Sequence, residues 1–186
     1  FDYYDWETGI SQSNINIIND LLMKLKKKFF LGKKSKVLEI ASNDGTLLDK
    51  VKKDYKSRVL GIDPAKNLKG ISNQKKVSTI VGYFSFSRAK KIKIQHGTFN
   101  FCIARNVIAH TSNPNDIFRG VENILNETGI FIVEVPYLYN IYKDNQYDNI
   151  FHEHMGFHTL KSIRDLCDNN FLKIIDTEII ESQGGS

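Results

Sequence analysis

A short acidic turn after a predicted strand carries the first residues whose types and spacing could do chemistry. The strand at 36–42 is followed by Asn43, Asp44 and Gly45. A tight turn at a helix start lets backbone N–H groups approach an anionic group closely. A dinucleotide-binding turn has three spaced glycines, and Ala41 and Asn43 replace the first two here. The turn is therefore expected to suit a ligand with an amino-acid end better than one with two phosphates.

A second carboxylate stands at the end of the next predicted strand. Asp63 lies 18 residues beyond Gly45 and precedes Pro64. A carboxylate there can accept both hydroxyls of a ribose, and Tyr83 and Phe84 offer an aromatic wall for an adenine. Each feature alone is weak, since such residues are often turn formers or core. Their order and spacing together favour a nucleoside site.

The elements that must position these residues alternate along the chain. Predicted strands cover 36–42, 58–63, 76–81, 99–104, 129–135 and 171–180, and predicted helices cover 13–30, 46–55, 114–125 and 159–169. Several strands are apolar on both faces, which indicates a parallel sheet covered by helices. We expect an α/β fold with a doubly wound, mostly parallel sheet and a ligand at the carboxyl ends of its strands.

The length and composition favour one domain. The chain has 186 residues, of which 41% are hydrophobic, enough for one sizeable core. We assign residues 1–35 to an aromatic lead-in and helix, and 36–186 to one α/β domain. The non-periodic insertion at 136–157 has a length that is usually functional. No apolar run is long enough to span a bilayer, and two cysteines without a signal peptide fit a reducing, cytoplasmic setting.

Charge is distributed unevenly and raises one alternative. Residues 1–95 carry 20 Lys/Arg and 9 Asp/Glu, whereas residues 96–186 carry 6 and 12. A basic half is compatible with nucleic-acid binding. The lysines lie in short helical or loop segments, however, where a charge run is usually a solvated face. Nucleic acid is therefore not the partner that the sequence favours.

The motifs resemble those of a known family. Glu39-x-x-x-Asn43-Asp44-Gly45 and Gly61-Ile-Asp63-Pro64 resemble the cofactor motifs of class I S-adenosylmethionine-dependent methyltransferases. From Val37 onward the chain is similar to the sugar C-methyltransferases that act on nucleotide-linked 4-keto-deoxysugars. The segments that carry this second likeness are Phe84-Ser85, Ala104-Arg-Asn-Val-Ile-Ala-His110, Glu134-Val-Pro-Tyr137, Phe151-His-Glu-His154 and Gly184-Gly-Ser186.

The resemblance implies a Rossmann-like fold with S-adenosyl-L-methionine as cofactor. The amino-acid end of the cofactor would lie against the turn, and its ribose against Asp63 and Pro64. Tyr83 and Phe84 would flank the adenine, and Asn106 would line the site near the sulfonium. The turn residues implied as cofactor contacts are Glu39, Ala41, Asn43, Asp44 and Gly45.

The resemblance also implies the catalytic residues. Methylation of a carbon next to a ketone requires removal of a proton from that carbon, and histidine is the base best matched to neutral pH. The family likeness makes His154 the base, Glu153 a neighbour that orients it or charges the site, and His110 a further polar contact. The acceptor would be a nucleotide-linked keto-deoxysugar.

One departure from the family pattern concerns Phe151. Family members have tyrosine there, and that phenol is thought to help with the enolate. Either another tyrosine substitutes, or the substrate differs, or turnover is slow, and the sequence leaves these open. The candidate substitutes are Tyr139, Tyr142 and Tyr147.

Two other interpretations stay open beside carbon methylation: a different methyl acceptor, and a cofactor-binding protein without turnover. A metal site at His152, His154 and His158 is disfavoured, because Gly156 breaks the His-Glu-x-x-His spacing.

The resemblance also implies a domain architecture. The family has a cysteine-rich zinc-binding region before this domain, another α/β domain after it and a late antiparallel strand. We therefore predict a central domain without that final strand, which leaves an exposed sheet edge.

The aromatic residues of the lead-in, Tyr3, Tyr4 and Trp6, would cover the substrate pocket.

Overall fold

Five parallel strands form one sheet. The computed structural model describes residues 2–182 and 184–186. Within them the strand order is β3-β2-β1-β4-β5, and every neighbouring pair is parallel. The strands are β1 (Lys36–Ile40), β2 (Arg58–Asp63), β3 (Thr79–Val81), β4 (Phe99–Arg105) and β5 (Leu125–Glu134). The strand order reverses between β1 and β4, which is where a doubly wound sheet binds its ligand.

Seven helices and three short 3₁₀ turns connect and cover the strands within the described ranges. The helices are α1 (Gln12–Phe29), α2 (Thr46–Tyr55), α3 (Leu68–Gln74), α4 (Phe86–His96), α5 (Pro114–Ile124), α6 (Leu138–Lys143) and α7 (Leu160–Asp168). The turns are Thr8–Ile10, Ile108–His110 and Tyr147–Asn149. Local sequence sets several starts: Ser11 caps α1, and Asn113 caps α5 ahead of Pro114.

Hydrophobic clusters on both faces of the sheet hold the helices in place. On one face, apolar residues of α4, α5 and α7 pack against Leu38 and Ile40. On the other, α1 and α2 pack against Val37 and Ile103. Successive side chains of a strand point to opposite faces, so β1 and β4 are buried on both. The predicted doubly wound α/β fold is confirmed.

One predicted strand is wrong. Residues 171–180 form no strand, although their β-branched composition favours one. The segment is held to α1 by exposed ion pairs, Lys24 with Glu178 and Lys28 with Asp176. A cleft of about 1350 Å³ separates it from β5. Since β propensity reports packing on neighbouring strands rather than an intrinsic preference, a segment without a pairing partner forms no strand.

Other boundaries also differ from the sequence predictions. The third strand is limited to Thr79–Val81, and α3 and α4 were not predicted. The insertion at 136–157 is partly helical, because it contains α6 and the turn Tyr147–Asn149. No helix among residues 2–182 and 184–186 is long and apolar enough to cross a membrane.

Candidate active site

The turn between β1 and α2 has an unusual backbone. Ala41, Asn43 and Gly45 all have positive φ, at 55°, 50° and 76°. Left-handed backbone is uncommon for a residue such as alanine and concentrates at functional sites. A Cβ on Gly45 would come within 3.1 Å of Ser72 and 3.3 Å of Val77, so both conformation and space require glycine there. Ala41 and Asn43 therefore keep left-handed backbone although they replace two glycines of the dinucleotide pattern.

Asn43 and Asp44 hold the segment before α1 against this turn. Asn43 Oδ1 accepts from the backbone N–H of Thr8 at 2.9 Å, and its Nδ2 donates to the carbonyl of Trp6 at 2.9 Å. Asp44 is buried, accepts from Gly9 N–H at 3.0 Å and pairs with Lys75 at 2.7 Å. The lead-in thus lies over the end of β1. The side chains of these two predicted cofactor residues are therefore used within the protein.

Asp63, at the end of β2, lies beside the turn after β1. Its two carboxylate oxygens accept from the N–H groups of Asn43 at 2.7 Å and Ala65 at 2.8 Å. Burial raises the pKa of Asp63, and these two N–H donors oppose the rise. Each carboxylate oxygen has lone pairs beyond those in use. Asp63 can therefore fix the turn and still accept from a ligand.

Two buried acceptors without partners face the point where the strand order reverses. Glu39 Oε2 and Asn106 Oδ1 have no hydrogen-bond partner. Burial raises the pKa of Glu39 well above its ordinary value, and the positive charge of Arg105 only partly offsets this. Buried polar groups are nearly always paired in folded proteins. Each of these two oxygen atoms can accept a hydrogen bond from a ligand N–H.

A buried ion pair supports Asn106. Arg105 and Glu134 are register partners on β4 and β5, with Nε 2.5 Å from Oε2 and exposed fractions of only 9% and 7%. Glu134 Oε1 also accepts from Asn106 Nδ2 at 3.1 Å and from Ser182 Oγ at 2.8 Å. Sequence analysis did not assign Arg105, Glu134 or Ser182 a role. Arg105 and Glu134 do lie in segments that carry the family resemblance, which was the available signal.

The two candidate adenine contacts are placed differently. Tyr83 is 56% exposed, and its hydroxyl lies 3.4 Å from Asp2. Phe84 packs against the core, and its ring would be 2.9 Å from a Cβ placed on Gly120 of α5. Tyr83 is therefore the accessible ring of the two.

One histidine of the insertion, His154, packs against His110, which follows β4. The rings of His110 and His154 have centroids 4.8 Å apart. His154 Nδ1 lies 2.7 Å from the Asn149 carbonyl, and His110 Nδ1 lies 2.9 Å from the Glu153 carbonyl. Because a carbonyl only accepts, Nδ1 of each ring carries the proton. In neutral His154 the lone pair is then on Nε2, where a base needs it.

Phe151, the residue that departs from the family pattern, lies beside His154. The Phe151 ring lies 4.1 Å from that of His154 and is tilted by 37°. The three candidate replacement phenols, Tyr139, Tyr142 and Tyr147, are all exposed, by 56%, 82% and 74%. Glu153 and His152 are exposed as well, and His158 is buried. The structure therefore brings His110 and His154 together but leaves the Glu153 side chain at the surface.

Tyr4 lies within electrostatic range of a residue of the insertion and of a proposed cofactor residue. Its pKa is raised by burial and then by the negative charges of Glu153 and Asp63. The lead-in therefore places one phenol within electrostatic range of both the ribose candidate and the insertion. Sequence analysis expected Tyr4 only to cover the pocket. In the described part of the chain, no group of three or more His, Cys, Asp or Glu side chains is placed to hold a metal.

The fold and this site define a class of proteins that transfer methyl groups. A profile described as "Methyltransferase domain" matches residues 14–177, and the chain therefore belongs to that family. The resemblance to class I methyltransferases noted from the sequence is confirmed. The S-adenosylmethionine cofactor expected from it is supported by the same family match.

Known proteins show how far the likeness extends. The chain is 32% identical over all 186 residues to the C-methyltransferase NovU of Streptomyces niveus, and spans 44% of that protein. It covers less than half the length of this curated relative. Among solved structures, magnesium protoporphyrin IX methyltransferase from Synechocystis with bound SAH has a TM-score of 0.68 at 12% identity, over 98% of this chain and 86% of that one. The PH0226 protein of Pyrococcus horikoshii has a TM-score of 0.58 at 26% identity, over 74% and 65%.

Proposed function

We propose that the protein is an S-adenosylmethionine-dependent C-methyltransferase whose acceptor is a nucleotide-linked keto-deoxysugar. The observation that carries the proposal is the state of His154, whose Nδ1 is held by the Asn149 carbonyl at 2.7 Å so that Nε2 is available as a base. Transfer to a carbon next to a ketone needs a base first, because that carbon has no lone pair until a proton is removed. The relative named as a C-methyltransferase supports this choice.

The residues at the strand ends fit the cofactor. Glu39 and Asn106 would hold the ammonium of its amino-acid end, because both have a buried acceptor atom without a partner. Asp63 would accept the ribose hydroxyls, and Tyr83 would lie against the adenine. When bound, S-adenosylmethionine supplies an electrophilic methyl group on a sulfonium. The protein then has to place a nucleophilic carbon opposite that methyl group.

His154 generates the nucleophile. Its Nε2 removes the proton from the carbon next to the ketone, and the electron pair of that C–H bond moves into the enolate. The imidazolium that forms keeps its Nδ1–H on the Asn149 carbonyl, which stabilises the positive charge. Formation of the carbon–methyl bond would use the enolate electron pair and restore the ketone, and the electron pair of the broken methyl–sulfur bond would remain on the sulfur. Phe151 cannot donate a hydrogen bond to the enolate oxygen.

Deprotonation and methyl transfer are measured separately to test this proposal. The full chain is incubated in D₂O with a nucleotide-linked 4-keto-deoxysugar, first with S-adenosylhomocysteine and then with S-adenosylmethionine. We expect deuterium uptake at the carbon next to the ketone in the first reaction and a methylated sugar in the second. Cofactor binding with neither result would instead favour a binding protein. A strong, salt-dependent affinity for RNA or DNA would favour a different acceptor.

Replacing Asp63 by alanine is expected to weaken S-adenosylhomocysteine binding about 10- to 100-fold, since hydrogen bonds to a charged group contribute about 1.5–3 kcal/mol. The change also frees the N–H groups of Asn43 and Ala65 that fix the turn. Isothermal titration calorimetry measures the affinity. Asp54→Ala, an exposed position on α2, is the matched control. Equal affinities for wild type and Asp63→Ala would remove Asp63 from the cofactor site.

Cofactor binding is expected to release a proton from Glu39. Burial raises the pKa of this carboxyl, so in the free protein Glu39 keeps its proton at pH values where an ordinary glutamate is ionised. A bound ammonium favours the carboxylate form. Affinity should therefore increase with pH until Glu39 is ionised in the free protein, and be weaker below that range. Titrations in buffers of different ionisation enthalpy count the protons released, and Glu39→Gln should release fewer. An identical proton count in the variant would contradict this placement.

A further inference from the structure

A chain of hydrogen bonds connects His154 to a glycine-rich loop that the proposed function does not use. The Gly-Gly loop comprises residues 180–182 and 184–186. Gln146 Nε2 donates to the Gly184 carbonyl at 2.6 Å, and Gln146 Oε1 accepts from Asn149 Nδ2 at 3.0 Å. The Asn149 carbonyl in turn accepts from His154 Nδ1 at 2.7 Å. A single amide side chain therefore bridges the loop and the residue that holds the histidine.

The geometry points to Gln146 as a positioning residue, which fixes the orientation and tautomer of His154 by anchoring Asn149 to the Gly-Gly loop. This inference rests on the proposed function, because it gives Gln146 a role only through the base. The Gln146 side chain makes its hydrogen bonds to Gly184 and Asn149, and not to the proposed cofactor residues or the His154 ring. Its effect is expected on the rate of deprotonation and not on cofactor affinity.

The bridge requires an amide of this length. Gln146 donates at one end and accepts at the other, so glutamate would lose the donor and methionine would lose both groups. Asn149 is buried, with 8% exposure, and its backbone N–H also donates to the Gln146 carbonyl at 3.1 Å. Side chain and backbone of Gln146 thus hold Asn149 together. The position of the carbonyl that His154 uses is determined by this contact.

The loop is shaped to receive Gln146. Gly184 and Gly185 have φ of 75° and 109°, and a Cβ on Gly184 would overlap Gln146 Oε1. The Gly185 carbonyl accepts from Tyr137 N–H at 3.1 Å, at the start of the insertion. Both the conformation and the close approach favour glycine at these positions. The Gly-Gly pair therefore lets the loop contact the insertion at two points.

The same loop is fixed on its other side to the proposed cofactor site. Ser182 is buried and donates to Glu134, which also holds Asn106. Gly185 N–H donates to the Ser182 carbonyl at 2.8 Å. Hydrogen bonds thus run from Asn106 through Ser182 and the glycines to Gln146. This arrangement fixes the base relative to the residue proposed to lie near the sulfonium.

The test compares Gln146→Ala and Gln146→Met with Gln95→Met, an exposed glutamine on α4. Methionine keeps the length of the side chain without its hydrogen bonds, so it separates positioning from packing. For each variant, kcat, KM and S-adenosylhomocysteine affinity are measured. Imidazole ¹⁵N NMR of the full chain reports the tautomer of His154, assigned with His154→Gln.

We expect both Gln146 variants to lower kcat about 10- to 100-fold, the effect of displacing a reacting group by about 1 Å, with unchanged S-adenosylhomocysteine affinity. We also expect a smaller fraction of His154 protonated on Nδ1, and wild-type behaviour for Gln95→Met. Wild-type kcat or an unaltered His154 tautomer in Gln146→Met would overturn the inference. Failure of the proposed function and failure of this inference give different results. Turnover retained in His154→Ala rejects His154 as the base, whereas the NMR result tests the role of Gln146 without depending on turnover.

Discussion

Replacing His154 by alanine is expected to lower the rate of methyl transfer by roughly 10²–10⁴-fold, the contribution of a positioned general base. The reason is that Nε2 of this ring carries the lone pair, since Nδ1 is committed to the Asn149 carbonyl at 2.7 Å. Cofactor affinity should not change, because His154 contacts none of the residues at the ends of β1 and β2. Stopped reactions with radiolabelled methyl donor measure the rate, and calorimetry measures the affinity.

His152→Ala is the matched control for that change. His152 lies two positions away in the same loop, is exposed and should retain wild-type turnover. Deuterium uptake by the acceptor gives a second readout, because it reports proton removal without methyl transfer. If His154→Ala still exchanges deuterium at the wild-type rate, His154 is not the base. The cluster would then leave His110 as the nearest alternative, at a centroid distance of 4.8 Å.

Replacing Glu134 by alanine is expected to destabilise the protein by about 3–5 kcal/mol, because it leaves the Arg105 guanidinium buried without its partner. Arg105 is only 9% exposed and Glu134 only 7%, so water cannot take over the lost contacts. Asn106 and Ser182 lose an acceptor in the same change. For a chain of this length the midpoint of thermal unfolding should fall by roughly 6–20 °C. Differential scanning calorimetry measures that midpoint.

Glu127→Ala on the same strand is the control for Glu134. Glu127 is exposed, and surface substitutions without special contacts usually change stability by no more than about 0.5 kcal/mol. Glu134→Gln separates shape from charge, since it keeps an acceptor for Asn106 and Ser182 while removing the charge that Arg105 needs. A Glu134→Ala midpoint within a degree or two of wild type would show that Arg105 reaches water when its partner is lost.

Local sequence patterns determined the order of most elements and the positions of the strand ends. The predicted helix 46–55 and strand 58–63 match α2 and β2 residue for residue. Apolar runs and turn residues act over a few neighbours, so they are readable without the fold. For the same reason the end of the second strand was correctly predicted at Asp63, which the structure finds hydrogen-bonded to Asn43.

Contacts between distant segments could not be predicted from local patterns. The Phe171–Ile180 segment has strand composition but forms no strand, because pairing depends on a partner that composition does not supply. The Arg105–Glu134 pair follows from the register of β4 and β5. The bridge from Gln146 to Gly184 joins residues 38 positions apart.

The amino-acid sequence by itself determined the fold class, the acidic turn and the histidine-rich insertion, since each is a property of residues close together in the chain. Only the tertiary structure decided which atoms of those residues are available. It committed the side chains of Asn43 and Asp44 to the lead-in, left Glu39 Oε2 and Asn106 Oδ1 without hydrogen-bond partners, and put the proton of His154 on Nδ1. The physical reason is that the use of a donor or acceptor depends on what folding places within about 3 Å of it.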